Sequence, residues 1–114
     1  MNKGRYFILL LLTFSTQLIA QQKLDYYDEN KTKIKSEENY KSGIQNGKFA
    51  LWFENGKLAK ESFYKMGKED GNFKTFYEDG KQKSDEHFAN GKKENKWTYW
   101  YKNGNKAQQL FFND

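Results

Sequence analysis

The sequence predicts an all-β chain, an elongated array of antiparallel β-hairpins with a 24-residue period, preceded by a helical leader. Three observations carry that expectation. Glycines fall into columns spaced 24 residues apart, aromatic residues keep the same spacing, and aliphatic side chains are too few for any other core. After residue 20 there is no Val, and Leu24, Ile34, Ile44, Leu51, Leu58, Met66 and Leu110 supply all the larger aliphatic volume, whereas 18% of the 114 residues are Phe, Tyr or Trp. A core here has to be aromatic. The signature of disorder is only half met, because aromatics are plentiful and acids nearly balance bases.

The first element is residues 1–20, read as a signal peptide. A short basic start (Lys3, Arg5) precedes an apolar run from Phe7 to Leu12 that continues, with Thr13, Ser15, Thr16 and Gln17 interrupting, to Ile19. A spanning helix needs about 20 predominantly apolar residues, so this run fits a leader better, with cleavage after the small residue Ala20. Gln21 then starts the mature chain, and with no Cys behind the cut there is no lipid anchor of the lipoprotein kind. The expected product is exported, either periplasmic or secreted. Loss of Lys3 and Arg5 leaves 18 lysines against 15 acids, a net charge of +3, and no arginine. A chain without the planar guanidinium fork is poorly equipped for bidentate phosphate or guanine recognition, and its lysines alternate with acids, so nucleic acid is not expected as a partner.

Residues 21–39 read as a divergent capping hairpin. Tyr26-Tyr27-Asp28-Glu29-Asn30-Lys31 resembles Trp52-Phe53-Glu54-Asn55-Gly56-Lys57, with Asn30 in place of the turn glycine and two extra residues before Tyr40. Terminal repeats commonly deviate in this way. Three regular units follow, 40–63, 64–87 and 88–112. Gly43, Gly67 and Gly91 form one column, Gly47, Gly71 and Asn95 a second, Gly56, Gly80 and Gly104 a third. The single exception is Asn, which tolerates positive φ best after glycine. In each unit Asn-Gly or Asp-Gly lies between two strand-like runs, the signal for a two-residue type I′ hairpin turn. Met66 to Gly71 and Asn90 to Asn95 read as wider return loops.

Alternation assigns the faces. Phe49, Leu51 and Phe53 share one face with Phe73, Thr75, Tyr77, Trp97, Tyr99 and Tyr101, and two-residue turns would add Leu58, Tyr64, Phe88, Leu110 and Phe112. Trp52, Phe76 and Trp100 line the other, with Ala50, Lys74, Thr98, Ala59, Phe63 and Phe111. One sheet layer cannot bury both ladders, so twist should enclose one and leave the other partly wet.

The pattern Gly-x3-Gly-x-aromatic-x2-aromatic-aromatic-x2-Gly-Lys resembles the MORN repeat in its variant form, shown in full by Gly43, Gly47, Phe49, Trp52, Phe53, Gly56 and Lys57. The third copy departs at Asn95 and Asn105 and has Gln109 in place of the acid. The resemblance covers residues 40–114. It implies an elongated hairpin solenoid and a role in protein interaction, assembly or lipid contact; bacterial variant-repeat proteins of this kind carry the label of YwqK-like antitoxins, which would neutralise a partner toxin.

Nothing in the sequence points to catalysis, and neither a cofactor nor a metal site is expected. His87 stands in the column of Phe63 and Phe111, where one flat ring replaces another, and the serines lack a nucleophile elbow. The pairs Glu37-Glu38, Glu69-Asp70, Glu78-Asp79 and Asp85-Glu86 lie on turns or point apart, and Glu69-Asp70-Gly71-Asn72 lacks calcium-loop spacing. Two functions follow as expectations. The first is an exported protein-interaction module using the stripe Trp52, Phe76 and Trp100, which is otherwise simply core. The second is a membrane-surface module in which Lys57, Lys60, Lys65, Lys68 and Lys81 meet anionic headgroups, with Glu61, Glu69 and Asp70 opposing. The uncharged stretch Leu110, Phe111 and Phe112 is an edge where a second copy could add.

Overall fold

The computed structural model describes residues 4–11 and 18–113. They form strands β1 (Arg5–Leu11), β2 (Leu18–Tyr26), β3 (Ile34–Lys41), β4 (Ile44–Trp52), β5 (Leu58–Lys65), β6 (Lys68–Glu69), β7 (Gly71–Phe76), β8 (Gln82–Ala89), β9 (Lys92–Lys93), β10 (Asn95–Trp100) and β11 (Lys106–Phe112). Spatial order follows chain order, β1-β2-β3-β4-β5-β7-β8-β10-β11, with β6 on β5 and β9 on β8. Each pairing is antiparallel, so the molecule is one continuous meander, a slab with extents of 50 × 41 × 19 Å.

The leader differs from expectation. Where a helix was expected, Arg5–Leu11 is a strand, paired with Leu18–Leu24 in the register Arg5 to Leu24 through Leu11 to Leu18. An apolar run beside an unpaired sheet edge satisfies its backbone groups by joining the ladder as well as by coiling. The rest of the expected leader, residues 1–3 and 12–17, lies outside the described residues, as does 114.

The two kinds of turn exchange places. Type I′ geometry, with positive φ at both central residues, occurs at Met66-Gly67 (φ 49 and 82) and Asn90-Gly91 (50 and 79), both within the expected wider loops, and at the equivalent Ser42-Gly43 (50 and 78). At the Asn-Gly sites only glycine has positive φ: Gly56 at 86, Gly80 at 92, Gly104 at 88. There the Phe53 N–H donates to Lys57 O (2.8 Å) and the Gly56 N–H to Phe53 O (2.9 Å), giving a three-residue loop that is a type I turn closed by a left-handed glycine. The side chain decides it. Asn55 Oδ1 accepts from the Lys57 N–H at 2.9 Å, as Asp79 does from Lys81 and Asn103 from Asn105, and that local bond holds Asn or Asp out of the left-handed region.

The longer turn shifts the register by one. Trp52 pairs with Leu58 but Leu51 with Lys60, so Ala59 is an unmatched bulge residue; Lys35, Lys83 and Ala107 occupy the same place in the other hairpins. Leu58 therefore sits beside Trp52, not on the Phe49 face where two-residue turns would have put it. In the first hairpin the two extra residues are absorbed by the loop between Tyr27 and Lys33, whose backbones close at 2.9 Å. Lys31 (φ 59), not Asn30, takes the left-handed position there. The Asp28 carboxylate anchors this loop by accepting from the Thr32 hydroxyl (2.6 Å) and from the N–H groups of Thr32 and Lys33.

The Gly47, Gly71 and Asn95 column marks where a strand changes partner. Lys68 and Glu69 still pair with β5, whereas Gly71 pairs with Phe88 on β8, and the swerve between them needs φ of 104 at Gly47, 110 at Gly71 and 61 at Asn95.

One aromatic ladder is closed as expected. Ring centroids run Phe49–Tyr64 6.5 Å, Tyr64–Phe73 5.5 Å, Phe73–Phe88 4.7 Å, Phe88–Trp97 5.0 Å and Trp97–Phe112 4.8 Å, in edge or tilted geometry. Each such pair adds about 0.5–1.5 kcal/mol beyond area burial, which offsets the shortage of aliphatic residues. Phe73 and Trp97 are buried. Lysine stems roof the ladder, with Lys60 Nζ 5.7 and 5.9 Å from the Phe49 and Phe73 rings and Lys93 Nζ 4.9 and 5.4 Å from Trp97 and Phe112. Small residues fill the gaps beneath: Ser62, fully buried, pairs with Phe49, and Ser84 meets Thr75 at 2.6 Å between hydroxyls.

Candidate interaction surface

On the opposite face the bulges bring a second row together at the three-residue turns. Cross-strand pairs Tyr26–Ile34, Trp52–Leu58, Phe76–Gln82 and Trp100–Lys106 lie at one level of successive hairpins. Trp52, Phe76 and Trp100 are each half-buried, and among the described residues no ring contact joins them. The alternation explains this: the three rings sit on every second strand, roughly 10 Å apart at about 4.8 Å per strand. Leu58 and Gln82 fill the intervals. The stripe is a broken apolar surface, not a second closed core.

The next row inward on this face is Glu37, Ala50, Glu61, Lys74, Asp85, Thr98 and Gln109, in which Lys74 stands between the acids Glu61 and Asp85. Ala50 and Thr98 are buried. Glu37 gathers Gln22 Nε2 and Asn39 Nδ2, both at 3.1 Å, and Lys48 Nζ at 3.3 Å. His87 sits in the third row with Phe63 and Phe111, as the column predicted, and its Nε2 is 3.7 Å from Asp85 Oδ1. Phe111 is 70% exposed and Phe63 36%.

Tyrosine hydroxyls tie one hairpin to the next at the turn end. Tyr27 donates to Trp52 O at 2.8 Å and Tyr77 to Trp100 O at 2.7 Å. Phe53 stands in the same column and has no hydroxyl to give. Beside it a cleft of about 490 Å³ opens between turns, lined by Phe53, Phe76, Tyr77, Glu78, Asp79, Lys83 and Lys102. The bulge lysine Lys83 lies 5.7 Å from the Tyr77 ring, and Lys35 repeats the contact over Tyr27 at 5.6 Å. Alternation along the strands had grouped Phe53 and Tyr77 with the closed ladder. They cap the turn end instead, and the bulge residues beside them carried no signal in a periodicity of two.

The remaining lysines do not share one patch. Lys60 covers the closed ladder, Lys57 Nζ bonds Asp79 O at 2.9 Å, and Lys65 and Lys68 flank the Met66-Gly67 turn at the far end. Acidic pairs serve turns: Asp70 Oδ1 accepts from the Asn90 N–H at 3.1 Å, and Glu69 O from the Gly91 N–H at 2.8 Å. Among the described residues no group of three His, Cys, Asp or Glu side chains is placed to hold a metal ion, and no helix is long and apolar enough to cross a membrane.

Two phenols are perturbed. Burial, then the hydrogen bond to Glu86 Oε1 at 2.8 Å, pushes Tyr99 up to about 12, and burial with Glu69 nearby raises Tyr64. Both effects disfavour phenolate, so neither hydroxyl is poised as a general base near neutrality, and that of Tyr99 serves as a structural donor to Glu86.

A family model described as the MORN repeat variant matches residues 45–66, 69–92 and 93–114. No curated protein and no solved structure matches the chain.

Proposed function

Since the chain belongs to the MORN repeat variant family, whose repeats are in general modules for contact with proteins or membranes, we propose that it is a non-enzymatic protein-interaction module, exported through a leader removed after Ala20. The observation that carries this reading is the difference between its two aromatic ladders. One is closed by ring contacts and roofed by lysines; the other, Trp52, Phe76 and Trp100 with Leu58, stays half-exposed beside a cleft of mixed charge. Such a surface offers flat apolar anchors with polar groups at the rim, the composition that recognises another protein.

The 24-residue unit, in the spans 40–63, 64–87 and 88–112 after a cap at 21–39, is the building block of that surface, since each copy adds one ring to the stripe. The test is affinity capture from envelope extracts with the wild-type chain, Trp100→Ser, and Lys96→Ser as a control away from the stripe. Trp100→Ser should lose the captured partner about tenfold or more while circular dichroism is kept; loss of fold would make the stripe core. A captured toxin would give the antitoxin role. Sedimentation with anionic vesicles at two salt concentrations separates the lipid alternative, which predicts binding that salt removes. The scattered lysines favour the protein reading.

A further inference from the structure

We propose that the strand Arg5–Leu11 caps the N-terminal edge of the sheet in the uncleaved chain, and that its removal opens β2 to antiparallel pairing with β2 of a second copy. The proposal rests on the leader reading above. The outer flank of β2 is occupied by β1, with Ile8 opposite Gln21, Phe7 opposite Gln22, Tyr6 opposite Lys23 and Arg5 opposite Leu24; the inner flank pairs with β3. Cleavage after Ala20 would take away all of β1 and leave Gln21 to Tyr26 with a row of unpaired backbone groups, which is a template for strand addition.

That segment is complementary to itself. A two-fold axis at Leu24 sets Leu24 against Leu24 of the second copy, Lys23 against its Asp25, and Asp25 against its Lys23, so each unlike pair occurs twice in an isologous contact. The two charged side chains share one face, since Lys23 pairs with Glu38 and Asp25 with the buried Ser36. Lys23 Nζ lies 3.4 Å from Glu38 Oε1 on β3, a single contact that leaves a third of its side chain exposed and further ammonium donors to offer; among the described residues Asp25 makes no ion pair or hydrogen bond. Edge strands are ordinarily protected by like charges. Here the charges attract the same strand. The resulting two-fold axis is perpendicular to the sheet, so both copies present the Trp52, Phe76 and Trp100 stripe on one face, giving a bivalent surface.

The deciding experiment inserts a specific protease site between Ala20 and Gln21 of the full chain and follows mass by sedimentation before and after cutting, with intact mass confirming loss of the leader. The uncut chain should be monomeric and the cut chain dimeric. Lys23→Asp in the cut chain should raise the dissociation constant about tenfold or more, and adding Asp25→Lys should restore it, because the exchanged pair is again complementary. A cut chain that stays monomeric overturns the proposal, including by retaining the leader non-covalently, as does an uncut chain that already dimerises or indifference to Lys23→Asp. Intact mass of the protein recovered from an exporting host decides the leader reading separately. A product starting at Met1 sinks that reading, while the cut-chain masses still decide the pairing.

Discussion

Gly71 shows how much the backbone asks of a single residue. At φ 110 its added Cβ would meet Phe63 Cβ at 3.5 Å, an ordinary contact, so what excludes other residues is conformation and not space. Gly71→Ala should cost about 1–2 kcal/mol in urea unfolding, whereas Asn95→Gly, at φ 61, should be neutral or slightly stabilising. Tyr99 makes a prediction in pH. Its phenol is raised from the ordinary 10 to about 12 in the folded chain, so its contribution is complete below pH 10 and is lost as pH rises through 12. Wild type should therefore lose melting temperature faster than Tyr99→Phe between pH 10 and 12, and parallel curves would show that the folded chain does not raise this phenol. Asp28 works in the opposite sense. The Thr32 hydroxyl first, and then the Lys33 N–H, holds its carboxyl below the usual range, so the support it gives to the first loop is present above the ordinary carboxylate range and fades as pH falls through the lowered value.

Elements are joined by few contacts, and these can be tuned. Unit-to-unit ladders are short, with Lys60–Thr75 and Glu61–Lys74 between β5 and β7 and Ser84–Tyr99 and Asp85–Thr98 between β8 and β10. Lateral bonds from the turns therefore matter. Tyr77→Phe should cost about 1 kcal/mol by leaving Trp100 O without its donor, and Phe53→Tyr should gain up to a similar amount by supplying the missing tie to the next hairpin. Thermal melts of the two single variants check the pair, and a Phe53→Tyr chain less stable than wild type would show that the column is not equivalent there. Trp97→Ala removes a buried ring touching both Phe88 and Phe112 and should cost about 3–5 kcal/mol. The contrast with Trp100→Ser, on the half-exposed face, is what separates the core ladder from the proposed interaction surface.

At the scale of the molecule, a single-layer meander has no second sheet to share its load, so protection should fall toward its ends. Hydrogen exchange should be slowest in β5, β7 and β8, where ladders run on both flanks, and fastest in β11, which pairs only with β10 and is exposed along most of its length. Much of this was legible in the residues. The aromatic columns determine which rings close on each other, because a period of two along a strand and of 24 along the chain leaves Phe49, Tyr64, Phe73, Phe88, Trp97 and Phe112 only one face to share. Glycine columns likewise determine where φ must be positive. The choice between turn types was not legible, since Asn-Gly suits a type I′ turn and a type I turn closed by glycine alike; the bond from Asn55 Oδ1 to the Lys57 N–H selects the second. From that choice follow the bulge, the transfer of Leu58 to the Trp52 face, and the half-exposed row that Trp52 belongs to. Composition and spacing thus determined the all-β hairpin class and which rings share a face, but not which of the two faces closes. Only the folded structure decided which aromatic face stays exposed, because exposure depends on register, and register follows from the turn that the Asn55 side chain selects.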